Sequence, residues 1–548
     1  MTDKESGIPF KFKKGATIGE PDAESDERFL SECFTDTGDF QSLRDCSSPQ
    51  RIIVGRTGAG KSALIQHLKQ SEENVIDIPP ENLALNFISN SDLLTTLEKA
   101  GVKLDIFYSL LWKHVFAVEL IRAKYHLSSE EKTKSWVATF LSMLQRKDQG
   151  KERALTYLRD WGDKFWNETE YRVKEVTLKL ENDIKASLGL NIDQLKTEIS
   201  SGTKNSSERK IEVVHKAQSV VNSIQVKALS DVIRFLAEDV FNDPKQNYYV
   251  VIDKLDEHWV DDHLRYRLIR SLIETVKTFR AIPNVKIIVA LRLDLLRSVF
   301  KNTRDSGFQE EKYQALFLPL LWNKEMLEQL LDKRMAKLVS EQYRARTVKM
   351  RELFPETILR EKFIDYLLAR TLYRPRDAIA FVNECLKQSD GRGVVRSKTV
   401  TQAEIEYSAQ RVDSLCYEWI AHHPKLSDYL SLLEKMPAQF KLTSFTKEKI
   451  DDFCLNNCMQ EGDNSNDPVI TAGYLYLNGS SLHLFVIALF KALFDVGILG
   501  IKPDSFKGQL WSFLDSRPPS DGQIKPSSEV FVHPMVWSRY GIHLKPGR

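Results

Sequence analysis

Residues 55–62 read Gly55-Arg56-Thr57-Gly58-Ala59-Gly60-Lys61-Ser62, the G-x-x-x-x-G-K-[ST] spacing of a loop that wraps a polyphosphate. Such a loop needs glycines, because its backbone must adopt positive φ and bring bare N–H groups close to phosphate oxygens. Lys61 supplies a mobile charge for the β- and γ-phosphates, and Ser62 offers a hydroxyl to Mg²⁺. The apolar run Ile52-Ile53-Val54 before the loop reads as a strand. Ala63 to Leu68 after it reads as a helix, whose N-terminus adds partial positive charge where the phosphates sit.

A loop of this kind requires a carboxylate opposite Ser62 to hold the metal, and a group to orient water. The chain offers one clear source of both. Tyr248-Tyr249-Val250-Val251-Ile252 is a short β-rich run that delivers Asp253-Lys254-Leu255-Asp256-Glu257 at its carboxyl end. Asp253 is the expected metal-side carboxylate. Lys254 follows directly, so either the activating carboxylate comes from Asp256 or Glu257, or hydrolysis is slow. A further strand, Val285 to Leu291, ends in Arg292-Leu293-Asp294, and a run from Tyr313 to Leu318 reads as another. Apolar strands alternating with helices predict a parallel sheet covered on both faces, with the polar residues at the strands' carboxyl ends facing the ligand crevice. Arg292 or Asp294 could sense a γ-phosphate there.

This pattern resembles the AAA+-related branch of P-loop ATPases, in particular the STAND, KAP and origin-recognition-like groups. Asp253-Lys254-Leu255-Asp256-Glu257 is similar to the acidic motif of STAND proteins, although Lys254 stands where a small residue is usual. The resemblance implies an α/β P-loop NTPase sandwich that binds ATP and Mg²⁺, with the phosphate loop Gly55–Ser62 cradling the nucleotide. Asp253 would hold Mg²⁺ with Ser62, and Asp256 or Glu257 would act in catalysis. It also implies a helical lid carrying an arginine that reaches the nucleotide. Tyr373-Arg374-Pro375-Arg376 lies in a suitable place, with Arg376 favoured because it opens a helix. An arginine acting from a neighbouring subunit is common in the family, which implies ATP-dependent homo-oligomers. Arg265, Arg267 and Arg304 are candidates for that role. The family also suggests an ATP-driven switch in bacterial anti-phage defence or signalling with an effector protein partner. The alternative is a DNA-binding ATPase of the origin-recognition or transposition-helper kind.

About 190 residues separate Lys61 from Asp253, far more than the intervening βα units need. After a strand near Val75–Ile78, a buried helix is expected over 104–125. Two amphipathic stretches follow at 165–199 and 211–241, with apolar stripes at Val173, Val176, Leu180, Ile184 and at Val214, Ala217, Val221, Ile224. They read either as a projecting helical hairpin, with arms of about 50 Å, or as a packed helical subdomain. The organisation expected is an N-terminal segment 1–44, an NTPase domain 45–330 with its insertion at about 104–241, a helical lid 331–425 and a C-terminal module 426–548. In that module, helical runs precede strand-like Val530-Phe531-Val532-His533, which resembles a winged helix able to dock DNA or protein. His533 reads as a strand-end residue at a domain boundary or as an autoinhibitory contact.

Composition narrows the classes. A hydrophobic fraction of 42%, a charged fraction of 28% and a formal net charge of +2 fit an ordinary globular protein without a global field for nucleic acid. At 548 residues the chain is long enough for roughly three or four domains. The amino end lacks the apolar core of a signal peptide and the six cysteines form no disulfide framework, so a cytoplasmic protein is expected. The most apolar window, 482–496, is interrupted by Lys491 and Asp495, so no membrane span is expected. Cys454 and Cys458 form half of a zinc spacing with no second pair nearby. No Leu-Ser-Gly-Gly-Gln signature accompanies the acidic motif, which disfavours a coiled-coil ABC ATPase. Asn323-Lys324-Glu325-Met326 lacks the aspartate of a guanine reader, which leaves ATP.

Overall fold

The structure is a computed structural model that describes residues 10–80, 91–126, 169–189, 194, 211, 213–220, 226–257, 260, 262–303, 310–341, 348–459, 467–503, 508–514 and 518–544. The chain divides into two compact units. One comprises Asp36–Arg56 and Lys61–Leu320. The other comprises the residues up to Thr35, the short stretch Thr57–Gly60, and Leu321 onwards.

The first unit is built on a five-stranded parallel sheet: β1 (Ile52–Gly55), β2 (Val75–Asp77), β3 (Tyr248–Ile252), β4 (Val285–Arg292) and β5 (Phe317–Pro319), in the order β2-β3-β4-β1-β5. The strand residues of β1 and β3 are all buried, as expected of a parallel sheet covered on both faces. This order sets β4 between β1 and β3. The side chains at the end of β4 therefore emerge between the phosphate loop that follows β1 and the acidic turn that follows β3.

The helix Asp105–Tyr125 is apolar on nearly every face and correspondingly has twelve buried residues. Trp112 within it donates its indole N–H to the Leu268 carbonyl at 2.9 Å, fixing it to the helix Asp262–Thr278. Of the two amphipathic stretches, the described parts are the helix Thr169–Leu188, residues 213–220 and the helix Val226–Phe235, which runs into a wider turn at Leu236–Val240. Leu180, Ile184, Val213 and Ala217 are buried in the same hydrophobic core as the sheet, so here the insertion is packed, not projecting. The side chains of Val173, Val176, Val221 and Ile224, and the polar segment 200–207, lie outside the described residues.

One strand expectation is corrected. Residues Glu310–Leu316 form a tight helical turn, and only Phe317–Pro319 pair with β1. The Tyr313 ring receives the Lys277 ammonium at 5.3 Å instead of extending the edge strand.

The second unit is mainly helical. Helices Lys324–Ser340, Phe363–Leu368, Pro375–Lys387 and Ser397–Glu418 surround a minimal hairpin of β6 (Thr357–Ile358) and β7 (Glu361–Lys362). The segment near Phe10–Ile18 joins the same core. Further along, β8 (Gln439–Lys441), β9 (Leu499–Lys502) and β10 (Glu529–Val532) form an antiparallel sheet in the order β8-β10-β9. Helices Lys447–Asn457, Pro468–Leu477 and Leu482–Val496 lie between β8 and β9 in the chain. The last of them buries eight of its residues, which explains its apolar sequence without a membrane. Among the described residues no helix is long and apolar enough to cross a bilayer.

Candidate nucleotide site

Within the sheet unit, the helix Lys61–Ser71 starts directly at the loop's lysine. Its first turn therefore presents backbone N–H groups at the loop's end. Lys61 Nζ donates to the carbonyls of Gly55 and Arg56 at 3.2 Å each. Burial pulls its pKa down, and the carboxylates of Asp256 and Asp253 oppose that shift. The two motifs, distant in sequence, thus share one electrostatic environment.

Ser62 and Asp253 are neighbours, close enough for the Ser62 hydroxyl to hold down the pKa of the carboxylate. Asp253 accepts the N–H of Lys254 at 2.8 Å. Burial raises the Asp253 pKa, while the Ser62 hydroxyl, the Lys254 N–H and the Lys61 charge hold it down. A hydroxyl and a carboxylate side by side are hard oxygen donors that fit Mg²⁺, beside a lysine and a helix N-terminus that fit a polyphosphate.

Lys254 occupies positive φ, +62°. That tight turn places Asp256 toward β4. Arg292, the last residue of β4, clasps Asp294 through Nε at 3.0 Å and Nη2 at 2.7 Å, and its Nη1 lies 3.5 Å from Asp256. Glu257 is exposed, with an oxygen 4.0 Å from Lys254 Nζ. Arg265, buried, donates to the carbonyls of Asp256 and Glu257 at 3.4 Å and so braces the acidic turn. Arg267 pairs with Glu98 at 2.7 Å. Arg304 lies outside the described residues.

The tip of the loop, Thr57–Gly60, belongs to the helical unit. Gly58 and Gly60 take φ of +75° and +96°, which glycine alone adopts freely. A Cβ on Gly58 would meet Arg376 Cβ at 2.7 Å. Three successive carbonyls of the tip are each taken by a donor of this unit. Thr57 accepts Arg374 Nη1 at 2.7 Å, Gly58 accepts the Arg376 backbone N–H at 3.4 Å, and Ala59 accepts Trp322 Nε1 at 2.7 Å.

Arg376 does lie in the first turn of its helix, but its side chain reaches the Pro21 carbonyl at 3.4 Å and Asp22 at 3.7 Å. Arg374, at the N-cap of that helix and 2% exposed, is the buried arginine. It binds Asp377 at 3.0 Å and Glu418 at 3.0 Å, while Arg411 binds the same two carboxylates at 3.3 and 2.9 Å. Two guanidiniums and two carboxylates thus neutralise one another out of water. The sequence favours Arg376 over Arg374 and gives no sign of Trp322, because the partner of each is a carbonyl some 300 positions away, a pairing that leaves no local pattern. His533 is enclosed by Trp511 and Phe513, accepts the Met535 N–H at 3.2 Å, and has its pKa pushed down to about 3 by burial. Cys454 and Cys458 are buried against Gly473.

The chain shows three likenesses to known proteins. Residues 325–416 match the model of the FunZ-associated C-terminal helical domain, which covers Arg374, Asp377 and Arg411. The putative transposon gamma-delta 80.3 kDa protein of Escherichia coli K12 is 23% identical over 564 aligned positions, spanning 96% of this chain and 67% of that relative. Among solved structures, a Walker-type ATPase of Pyrococcus abyssi aligns with 93% of this chain and 96% of its own, at 12% identity and a TM-score of 0.33.

Proposed function

We propose that the protein is an ATP-binding and ATP-hydrolysing molecular switch. The observation that carries this reading is the proximity of Ser62 and Asp253 beside Lys61, which joins a complete phosphate loop to a strand-end carboxylate. In this reading Lys61 and the N–H groups of residues 58–62 bind the β- and γ-phosphates, and Ser62 and Asp253 hold Mg²⁺. Mg²⁺, when bound, neutralises phosphate charge during transfer. Asp256, whose charge acts on Lys61 and whose carboxylate lies 3.5 Å from Arg292, orients the attacking water. Arg292 stands between the two motifs and senses the γ-phosphate by exchanging its hold on Asp294 and Asp256. The STAND-like groups remain the family reading suggested by Asp253 to Glu257, with the helical residues 331–425 as lid and 426–548 as an effector-docking module.

A second reading is favoured by the transposon-borne relative: a transposition-helper ATPase that engages DNA. The helix Leu482–Val496, which would be the groove-reading helix of a winged-helix module, has one basic residue, Lys491, ion-paired with Asp521. That composition is poor for phosphate neutralisation and makes the protein-switch reading the stronger one. Phosphate release measured with and without duplex DNA, together with mass measurement in a non-hydrolysable ATP analogue, tests both. Phosphate release that does not depend on DNA, with ATP-dependent assembly, supports the switch. Stimulation by DNA that weakens with salt supports the helper. Absence of any nucleotide binding ends both.

A further inference from the structure

The phosphate loop is held from behind. Backbone N–H groups can converge on a phosphate only if the intervening carbonyls turn elsewhere, and a carbonyl facing the ligand would repel it. In this chain the carbonyls of Thr57, Gly58 and Ala59 all have donors in the helical unit: the guanidinium of Arg374, the N–H of Arg376 and the indole of Trp322. Arg374 is itself fixed by Asp377 and Glu418, and these in turn by Arg411. That network leaves Arg374 little rotational freedom, so its bond to Thr57 is preset.

We propose that Arg374 and Trp322 are positioning residues for the nucleotide: they act through the carbonyls of Thr57 and Ala59, orienting the loop's N–H groups toward phosphate before the ligand arrives. This rests on the ATP-binding reading above and assigns Arg374 a role through the loop instead of on the γ-phosphate. A consequence separates the two roles. Preorganising the loop helps any nucleotide that places phosphates in it, so ADP and ATP benefit alike. A side chain that touches the γ-phosphate helps ATP alone.

The test uses the full-length chain with Trp322→Phe, which keeps an aromatic ring but removes the N–H, and Arg374→Lys, which keeps the charge opposite Asp377 and Glu418. Calorimetry measures affinity for ADP and for a non-hydrolysable ATP analogue, and hydrogen exchange follows the amides of Gly58–Gly60 without nucleotide. Trp322→Phe should weaken both nucleotides about fivefold, the worth of one neutral hydrogen bond, and Arg374→Lys about tenfold or more. Exchange at the loop tip should accelerate, and KM should rise more than kcat falls. Loss of affinity for the ATP analogue alone would overturn the proposal in favour of direct γ-phosphate contact. Unchanged affinities and exchange would overturn it outright. If Arg374→Lys fails to fold, Trp322→Phe decides. A wild-type chain that binds neither nucleotide would instead refute the ATP reading, while the exchange measurement would still report whether the donors hold the loop.

Discussion

The Ser62 hydroxyl lies beside the Asp253 carboxylate, which brings the first turn after the phosphate loop next to the carboxyl end of β3. Burial raises the pKa of Asp253, so the folded state holds a proton on it more tightly than the unfolded state does. The stability this confers is present below the unfolded value near 4 and is lost as pH rises through the raised folded value. At neutral pH the ionised, buried acid therefore costs stability in the absence of a cation. Asp253→Asn should raise the melting temperature of the metal-free protein at pH 7–8, by a margin that shrinks toward pH 4. The same variant should reduce Mg²⁺-dependent ATP hydrolysis by about two orders of magnitude or more. A thermal scan and a phosphate-release assay on one preparation check both.

Lys61→Ala should abolish measurable ATP binding by removing the cation that neutralises the phosphates. Gly58→Ala should do so by another route. It requires φ of +75° from an L-residue and sets a methyl within 2.7 Å of Arg376 Cβ. A fluorescent ATP analogue titrated into each variant reads the loss, and circular dichroism confirms that Lys61→Ala stays folded.

Asp256→Asn should lower the hydrolysis rate about a hundredfold while ATP affinity stays within a few-fold, the pattern of a residue acting in general-base or water-orienting chemistry. Glu257→Gln should change the rate far less. Single-turnover hydrolysis of the two variants distinguishes them, and the opposite ranking would transfer the role to Glu257.

Lys286 stands inside β4, fully buried, donating to the carbonyls of Ser42 at 2.6 Å and Asp45 at 2.7 Å, with Arg51 and Cys46 as its charged or ionisable neighbours. Burial, reinforced by Arg51, pulls its pKa down to about 7 from an ordinary 10.5. Between these values the unfolded chain binds more protons, so stability rises with pH across that window, by up to about 1.4 kcal/mol per unit, and the gain is lost as pH falls through 7. Lys286→Met should flatten this dependence. Urea midpoints from pH 7 to 9.5 for both proteins provide the measurement.

In the helical unit, Arg334 donates to Asp26 at 2.5 Å and to the Ile18 carbonyl at 3.0 Å, tying the amino-terminal segment to the helix Lys324–Ser340. Asp26→Ala would strand a buried guanidinium, at a cost of about 3–5 kcal/mol. Limited proteolysis should then cut near residues 10–35 well before the rest of the chain.

How much of this could be read beforehand follows from the range of the forces involved. The strands β1, β3 and β4, the loop glycines and the helix over 105–125 announce themselves through contiguous apolar runs and local turn chemistry. Asp253 and Ser62 could be paired because a bound metal demands two donors. Arg376 drew attention by opening a helix, whereas the residue two positions earlier carries the buried network. Nothing near Arg374 in the chain points to Thr57, Asp377, Arg411 and Glu418 together. Tyr313–Leu316 looked like a strand because β-propensity ignores that only the last residues of the run have a neighbour to pair with. Lys286 stood visibly inside an apolar strand, yet only the folded chain reveals the two carbonyls that accept its protons.

The position of the loop tip's donors, far downstream in the chain, has a practical corollary for dissection by truncation. A fragment ending at Leu320 would keep the sheet, Lys61 and Asp253, and would look like a self-sufficient catalytic module. It would nonetheless lack Trp322, Arg374 and Arg376, the donors to Ala59, Thr57 and Gly58, so its weak grip on nucleotide would be an artefact of the cut. Genetic screens for loss of nucleotide binding should accordingly recover lesions at Trp322, Arg374 and Glu418, far downstream of the motif that defines the site.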